Sequence, residues 1–181
     1  MSQEVIDRLH LLLAGFDARV QAAPADSWGN PAPCEGWTAA DIVDHVAGSA
    51  VGMTAALTGN PPIAFDKNDV PGTWPGVRDG LLAAVDTADL SQNVPGPFGP
   101  MPAHELLGRF MSMDILVHTW DLARAVGGDE QLDADAVERS YSGLKPMDAM
   151  IRRPGVFGPK IEPAEGDDLQ TEFLKFLGRP V

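Results

Sequence analysis

Three polar side chains occur where the surrounding residues predict the buried faces of helices. His45 lies between Ile42 and Ser49 on an otherwise apolar helical stripe. Asp114 and His118 are four residues apart, and residues at this spacing are neighbours on one face of an α-helix. Because burying an unpaired carboxylate costs free energy, an inward-facing Asp114 needs an imidazole or a cation as its partner.

Two imidazoles and one carboxylate form a suitable donor set for a divalent metal ion. Neutral imidazole and carboxylate suit Zn²⁺, Ni²⁺, Fe²⁺ or Mn²⁺, of which we expect zinc. Three protein ligands leave coordination positions open for water or substrate, which is typical of a catalytic site. A buried hydrogen bond between Asp114 and His118 is the alternative, because residue pairs at this spacing also occur by chance.

Residues near the three candidate ligands are candidates for supporting roles. Asp121 follows His118 by three residues, so it is placed to orient that ligand from behind. Arg124 follows three residues later, and an exposed ion pair at the helix end is the alternative for these charged residues. Trp37 and Trp120 are expected either to pack in the core or to line the mouth of a pocket.

The other histidines and the single cysteine are predicted to have structural roles. His104 is some three helical turns from Asp114 and His118 at about 1.5 Å per residue, which is too far to share one ion with them. His10 is expected at the edge of the first helix. Cys34 falls in a proline-rich loop before the second helix. Catalytic thiols favour helix N-termini, but packing is the predicted role for this one.

Prolines divide the chain into stretches that limit where long helices are expected, because an interior proline costs about 3 kcal/mol. Thr38 and Asp41 predict a capping box at the start of the second helix, and Gly127 with Gly128 predicts the end of the fourth. A short extended pair is predicted between residues 93 and 102. Apolar residues at helical spacing predict helices in the proline-free stretches 1–23, 34–60, 76–94, 103–145 and 164–179, with shorter helices near 133–144 and 169–177.

This pattern predicts an all-α fold, a bundle of four main helices with additional short helices and proline-rich loops. The length of 181 residues suits one domain, so we expect a single domain over residues 1–181. No stretch approaches the roughly 20 apolar residues that a membrane span requires. The first residues contain acids and no long apolar run, so we expect no signal peptide.

The charge balance excludes some partners. The chain has 13 basic and 26 acidic side chains and a formal net charge of -13, which argues against nucleic acid and anionic membrane surfaces. A single cysteine excludes an internal disulfide framework and fits a reducing compartment, so we expect a cytoplasmic protein.

Two segments resemble the signatures of a known family. Residues 33–46, PCEGWTAADIVDHV, resemble a motif of the mycothiol-dependent maleylpyruvate isomerase N-terminal domain family. That family belongs to the DinB/YfiT-like superfamily of metal-binding helical bundles. Residues 113–125, MDILVHTWDLARA, resemble a second motif of the same family. The segments 156–159 and 173–179 resemble the tail of an actinobacterial single-domain subgroup.

The resemblance implies a DinB/YfiT-like four-helix bundle in which His45, Asp114 and His118 bind the metal. It implies a metal-dependent transferase or isomerase that uses mycothiol or another low-molecular-weight thiol on a small electrophilic substrate. It also implies a homodimer. The isomerase itself has a glutamate at the position of Asp114 and a second, C-terminal domain, which we do not expect here.

Two other functions remain open at this point. One is a divalent-metal-binding helical bundle protein without catalytic activity. The other is a helical bundle that only self-associates and binds no metal.

Overall fold

The computed structural model describes residues 2–97, 99–152 and 157–181. Val156, in the segment that resembles the family tail, lies outside the described residues. The chain divides into two compact units, Met1–Glu130 and Gln131–Val181. The helices are α1 (Ser2–Ala22), α2 (Ala39–Thr58), α3 (Val70–Thr87), α4 (Ala103–Glu105), a π-helical segment (Leu106–Met111), α5 (Ser112–Val126), α6 (Ala134–Leu144), a 3₁₀ turn (Lys145–Met147), α7 (Asp148–Ile151) and α8 (Leu169–Phe176).

The first unit is built around the four longest of these helices. α1 contacts α3 and α5, and α2 contacts the same two helices, so the four form a bundle around a shared core. The largest fully buried apolar side chains of this core come from all four helices: Leu9, Leu13, Phe16, Ile42, Trp74, Leu81, Ile115, Leu116, Trp120 and Leu122. The predicted all-α fold with four main helices is confirmed.

The start of α2 agrees with its prediction. Thr38 accepts a hydrogen bond from the backbone N–H of Asp41, and the Asp41 carboxylate accepts one from the backbone N–H of Thr38. This capping box pairs amides that the first turn of a helix leaves without partners. The preceding loop turns at Gly36, whose φ of 78° is a conformation that favours glycine. The turn places Trp37 directly before the cap.

The third helix begins earlier than predicted. α3 starts at Val70 and includes Pro71 and Pro75, so the expectation that long helices avoid prolines is wrong here. Pro71 stands in the first turn, where its missing N–H would have no helical partner. Burial of Trp74, whose indole N–H donates to Asp17 at 2.9 Å, stabilises the segment around Pro75.

The predicted fourth helix follows the expected path but changes its winding. A π-helical segment, Leu106–Met111, precedes α5, and the Ser112 hydroxyl donates to the carbonyl of Leu107 at 2.7 Å. The apolar spacing did not indicate this wider turn. α5 ends where expected, because Gly127 has a φ of 68° and ends the helix in a left-handed conformation.

The short extended pair is confirmed as β1 (Asn93–Val94) and β2 (Met101–Pro102), which pair antiparallel. In the second unit, α6 and α8 contact each other, and the ring of Tyr141 packs against Phe173 and Phe176. These two helices lie close to their predicted positions. Among the described residues, no helix combines the length and apolarity needed to cross a membrane.

Candidate metal centre

The structure brings the three predicted metal ligands together between α2 and α5. The Nε2 atom of His45 lies 3.2 Å and 3.1 Å from the two carboxylate oxygens of Asp114. The Nε2 atom of His118 lies 3.5 Å from the nearer oxygen of Asp114. The two imidazole rings meet edge to face, with their centroids 4.7 Å apart. Two ring nitrogens and one carboxylate therefore converge on one point.

The opposite nitrogen of His118 is held by a buried carboxylate. Nδ1 of His118 donates to Asp121 Oδ2 at 2.9 Å, and the Asp121 side chain is fully buried. This bond fixes the orientation of the ring and directs Nε2 toward Asp114. Metal-binding histidines commonly donate their second N–H to such a carboxylate. The structure therefore places Asp121 behind His118, and its role in supporting a metal ligand stays a prediction.

The cluster changes the pKa of two of its members. Burial on its own raises the pKa of Asp114, but hydrogen bonds with His118 and His45 outweigh burial and lower that pKa well below the ordinary aspartate value. Burial on its own lowers the pKa of His118, but hydrogen bonds with two carboxylates and a thiol raise it well above the ordinary histidine value. A carboxylate facing an imidazolium is therefore the favoured state of the metal-free cluster.

The spacing of the three donor atoms fits a single divalent ion. Donors about 2.1 Å from a tetrahedral ion lie about 3.4 Å from one another. The contacts to Oδ1 of Asp114, at 3.2 Å from His45 and 3.5 Å from His118, bracket this value. All three ligand atoms lie within 4.8 Å of one another. The Asp114 side chain is 30% exposed, so the convergence point is open to solvent on one side.

A pocket of about 450 Å³ opens beside His45. The Trp37 ring covers part of the His–Asp–His cluster, because its centroid lies 5.2 Å from that of His45 and 5.9 Å from that of His118. Trp37 therefore lies at this pocket, and its role there stays a prediction. The pocket is lined by Gly36, Trp37, Asp41, Asp44 and His45.

Cys34 lies closer to the cluster than its predicted packing role implied. Its Sγ atom is 3.5 Å from Asp121 Oδ2, the same oxygen that accepts from His118. The ligand atoms of these three residues also lie within 4.8 Å of one another. The position of the thiol just before a helix was the available signal, but the sequence does not show that the loop folds back onto α5.

Two other predicted candidates lie away from this arrangement. Trp120 is buried at 1% exposure, and the guanidinium of Arg124 lies 5.4 Å above its ring. Arg124 also forms an ion pair with Glu130 at 2.9 Å, which is the alternative that its position near the helix end left open. Neither residue lines the pocket beside His45.

The remaining histidines form separate contacts. His104 has its Nδ1 atom 3.0 Å from the carbonyl oxygen of Leu90, and His10 has its Nε2 atom 2.8 Å from the carboxylate of Asp86. Among the described residues, neither belongs to a group of potential ligands that could hold one ion.

The fold and the site define a class: a helical bundle with a His–Asp–His cluster between two of its helices. The sequence profile of the family described as "Mycothiol maleylpyruvate isomerase N-terminal domain" matches residues 9–123. The chain therefore belongs to this family. It is also 31% identical over 182 residues to "Uncharacterized protein Rv0738" of Mycobacterium tuberculosis (strain ATCC 25618 / H37Rv), and the match covers 92% of each chain.

Two solved structures have a similar fold. One is the mycothiol-dependent maleylpyruvate isomerase, with a TM-score of 0.58 and 18% identity over 78% of this chain and 68% of that chain. The other is a point mutant of the mycothiol-dependent maleylpyruvate isomerase, with a TM-score of 0.60 and 17% identity over 86% of this chain and 74% of that chain. At these identities the comparison shows the fold alone.

Proposed function

We propose that this protein is a metal-dependent enzyme that uses mycothiol, or a similar small thiol, as the nucleophile in a transferase or isomerase reaction on a small electrophile. The observation that carries the proposal is the convergence of His45, Asp114 and His118, whose ligand atoms lie within 4.8 Å of one another. Family membership supports the choice of thiol.

His45, Asp114 and His118 would hold the ion, with zinc expected and nickel, iron or manganese as alternatives. A divalent ion held by these residues would lower the pKa of a coordinated thiol and so would supply a thiolate at neutral pH.

The residues around the ligands have separate tasks. Asp121 holds the Nδ1 proton of His118, so the lone pair for coordination is on Nε2, the nitrogen that faces Asp114. Trp37 excludes water from one side of the cluster. The pocket beside His45 provides the space in which an electrophile approaches the thiol.

The proposal is tested by measuring metal content and thiol-dependent turnover in the same preparations. Protein purified without chelator is expected to contain about one divalent ion per chain and to consume an electrophile only when mycothiol is present. His118→Ala should remove both properties, whereas His10→Ala, the matched control on the surface, should retain both.

Two results would contradict the enzyme proposal. A protein that stays metal-free at saturating Zn²⁺ and Ni²⁺ has no metal centre. A protein that binds zinc tightly but shows no thiol-dependent turnover across a panel of electrophiles is a metal-binding protein without catalytic activity. In that case His118→Ala would lower the melting temperature through the lost metal and change no activity.

A further inference from the structure

The pocket beside His45 is lined by acids, although it adjoins a candidate metal centre. Asp41 and Asp44 are on the first turns of α2 and both line the pocket. Hydrogen bonds from Lys67 and Thr38 lower the pKa of Asp41 to about 2, so this side chain is a carboxylate at neutral pH. Lysine or arginine does not occur among the five described lining residues, which are Gly36, Trp37, Asp41, Asp44 and His45.

The nearest described cation neutralises only one of these acids. The ammonium group of Lys67 lies 2.7 Å from Asp41 and forms an ion pair with it. Lys67 acts on Asp44 only through the longer-range Coulomb interaction. No side chain in the described part of the chain is within hydrogen-bond or ion-pair distance of Asp44, which is exposed to solvent. Asp44 is therefore the main uncompensated charge of the pocket wall.

The cluster behind the pocket adds no positive charge to offset Asp44. The charge of a divalent ion would be balanced by Asp114 and by Asp121, the buried carboxylate bonded to His118. A thiolate bound at the same place would make the centre negative. An anionic electrophile would then meet two negative regions, the thiolate and Asp44. Binding of carboxylates usually relies on arginine or lysine, which this wall does not provide.

We propose that Asp44 is a specificity-determining residue, which excludes anionic electrophiles and restricts the second substrate to neutral ones. This inference rests on the proposed function, because it names the substrate class of the same site. A dicarboxylate such as maleylpyruvate is then a poor substrate for this protein. The first substrate, the thiol, is not constrained by this argument.

The test compares the binding of two small molecules of the same shape and different charge. Fumarate is a dianion, and fumaramide is its neutral diamide with the same planar skeleton. Dissociation constants are measured from the NMR shifts of the Gly36 and Asp44 amides, in zinc-loaded and in metal-free protein. We expect the wild type to bind fumaramide more tightly than fumarate, by about fivefold or more at low salt, and the difference to shrink at high salt.

Variants locate the effect at Asp44. Asp44→Asn should tighten fumarate binding by about fivefold, and Asp44→Lys by about 25-fold, with little change for fumaramide. Asp7→Asn is the matched control, because Asp7 is an exposed acid on α1 that does not line the pocket. It removes the same formal charge and should leave both dissociation constants unchanged.

Three outcomes would overturn the inference. The first is that the wild type binds fumarate as tightly as fumaramide. The second is that fumaramide does not bind at the pocket. The third is that Asp44→Asn and Asp7→Asn change fumarate binding equally. Circular dichroism checks that each variant is folded. The readout is binding, so a missing thiol-dependent turnover contradicts the proposed function, whereas a missing charge preference contradicts only this inference.

Discussion

The protein contains two places where a histidine and an aspartate meet, and they differ in almost every other respect. His10 and Asp86 form a pair between α1 and α3, 2.8 Å apart, with side chains 41% and 47% exposed. His118 contacts Asp114 on one side and Asp121 on the other, and its side chain is 9% exposed. The first contact is a solvent-exposed hydrogen bond, whereas the second is part of a buried cluster.

The difference shows that burial and convergence, not residue type, make a candidate metal centre. An exposed pair interacts weakly because water and salt screen its charges. In the cluster, a buried carboxylate fixes the orientation of the ring, and a second histidine, His45, adds a third donor. The bond to Asp121 and the burial of the ring restrict the rotation of His118, so less conformational entropy is lost when an ion binds.

The largest expected difference between the two places is in metal affinity. His118→Ala should weaken zinc binding by more than about 100-fold. Loss of a direct ligand should weaken binding more than loss of a residue that only hydrogen-bonds to a ligand, which typically costs about 10- to 100-fold in affinity. Competition with a chromophoric chelator measures the dissociation constant. His10→Ala provides the comparison and should leave it unchanged, so similar losses in both variants would contradict the assignment of the site.

The second largest effect is expected at the residue behind His118. Asp121→Asn should reduce zinc affinity by about 10- to 100-fold, because an amide no longer holds the Nδ1 proton of His118 as a carboxylate does. The same chelator assay measures the change, and Asp86→Asn serves as the control. If Asp121→Asn leaves zinc affinity unchanged, the orientation of the His118 ring does not depend on its hydrogen bond to Asp121.

A pH titration should distinguish His118 from an ordinary histidine by two opposite trends, one in the stability of the metal-free protein and one in zinc affinity. The pKa of His118 is raised, so its contribution to the stability of the metal-free protein is fully present below the ordinary histidine pKa of about 6.5 and is lost as the pH rises through the raised value. Zinc must displace the proton that His118 carries below its raised pKa. Zinc affinity should therefore rise about tenfold per pH unit until the pH reaches that raised value.

Urea unfolding of metal-free protein and zinc titration at a series of pH values measure these two trends. His118→Gln should remove both of them. The lowered pKa of Asp114 gives a separate loss of stability at acidic pH, as the pH falls below the ordinary aspartate value. Metal-free stability that does not fall between neutral and alkaline pH would contradict the raised pKa of His118.

The smallest effect is expected at the exposed pair. Breaking the contact of His10 and Asp86 by His10→Ala should change the free energy of unfolding by less than about 1 kcal/mol, because both side chains are solvated. Urea unfolding at neutral pH measures it. A cost of several kcal/mol would show that this contact stabilises the packing of α1 against α3, and the contrast with the cluster would be smaller than described.

Local patterns in the sequence were sufficient to predict most of the helices. Caps and breakers act within a few residues, so Thr38, Asp41 and Gly127 mark helix ends without reference to the rest of the chain. α3 is the exception, because local rules begin this helix after Pro75, whereas burial of Trp74 in the core stabilises a helix that already starts at Val70. The π-helical segment before α5 likewise has no local signal in the apolar spacing.

By itself, the sequence determined most of the helices, the charge balance and the proximity of Asp114 to His118, since the last depends only on the pitch of a helix. Only the tertiary structure decided that His45 reaches the same point as Asp114, and that Cys34 contacts the oxygen of Asp121 that accepts from His118. The reason is that these contacts join residues 69 and 87 positions apart in sequence, and their distances depend on how α2 and its preceding loop pack against α5.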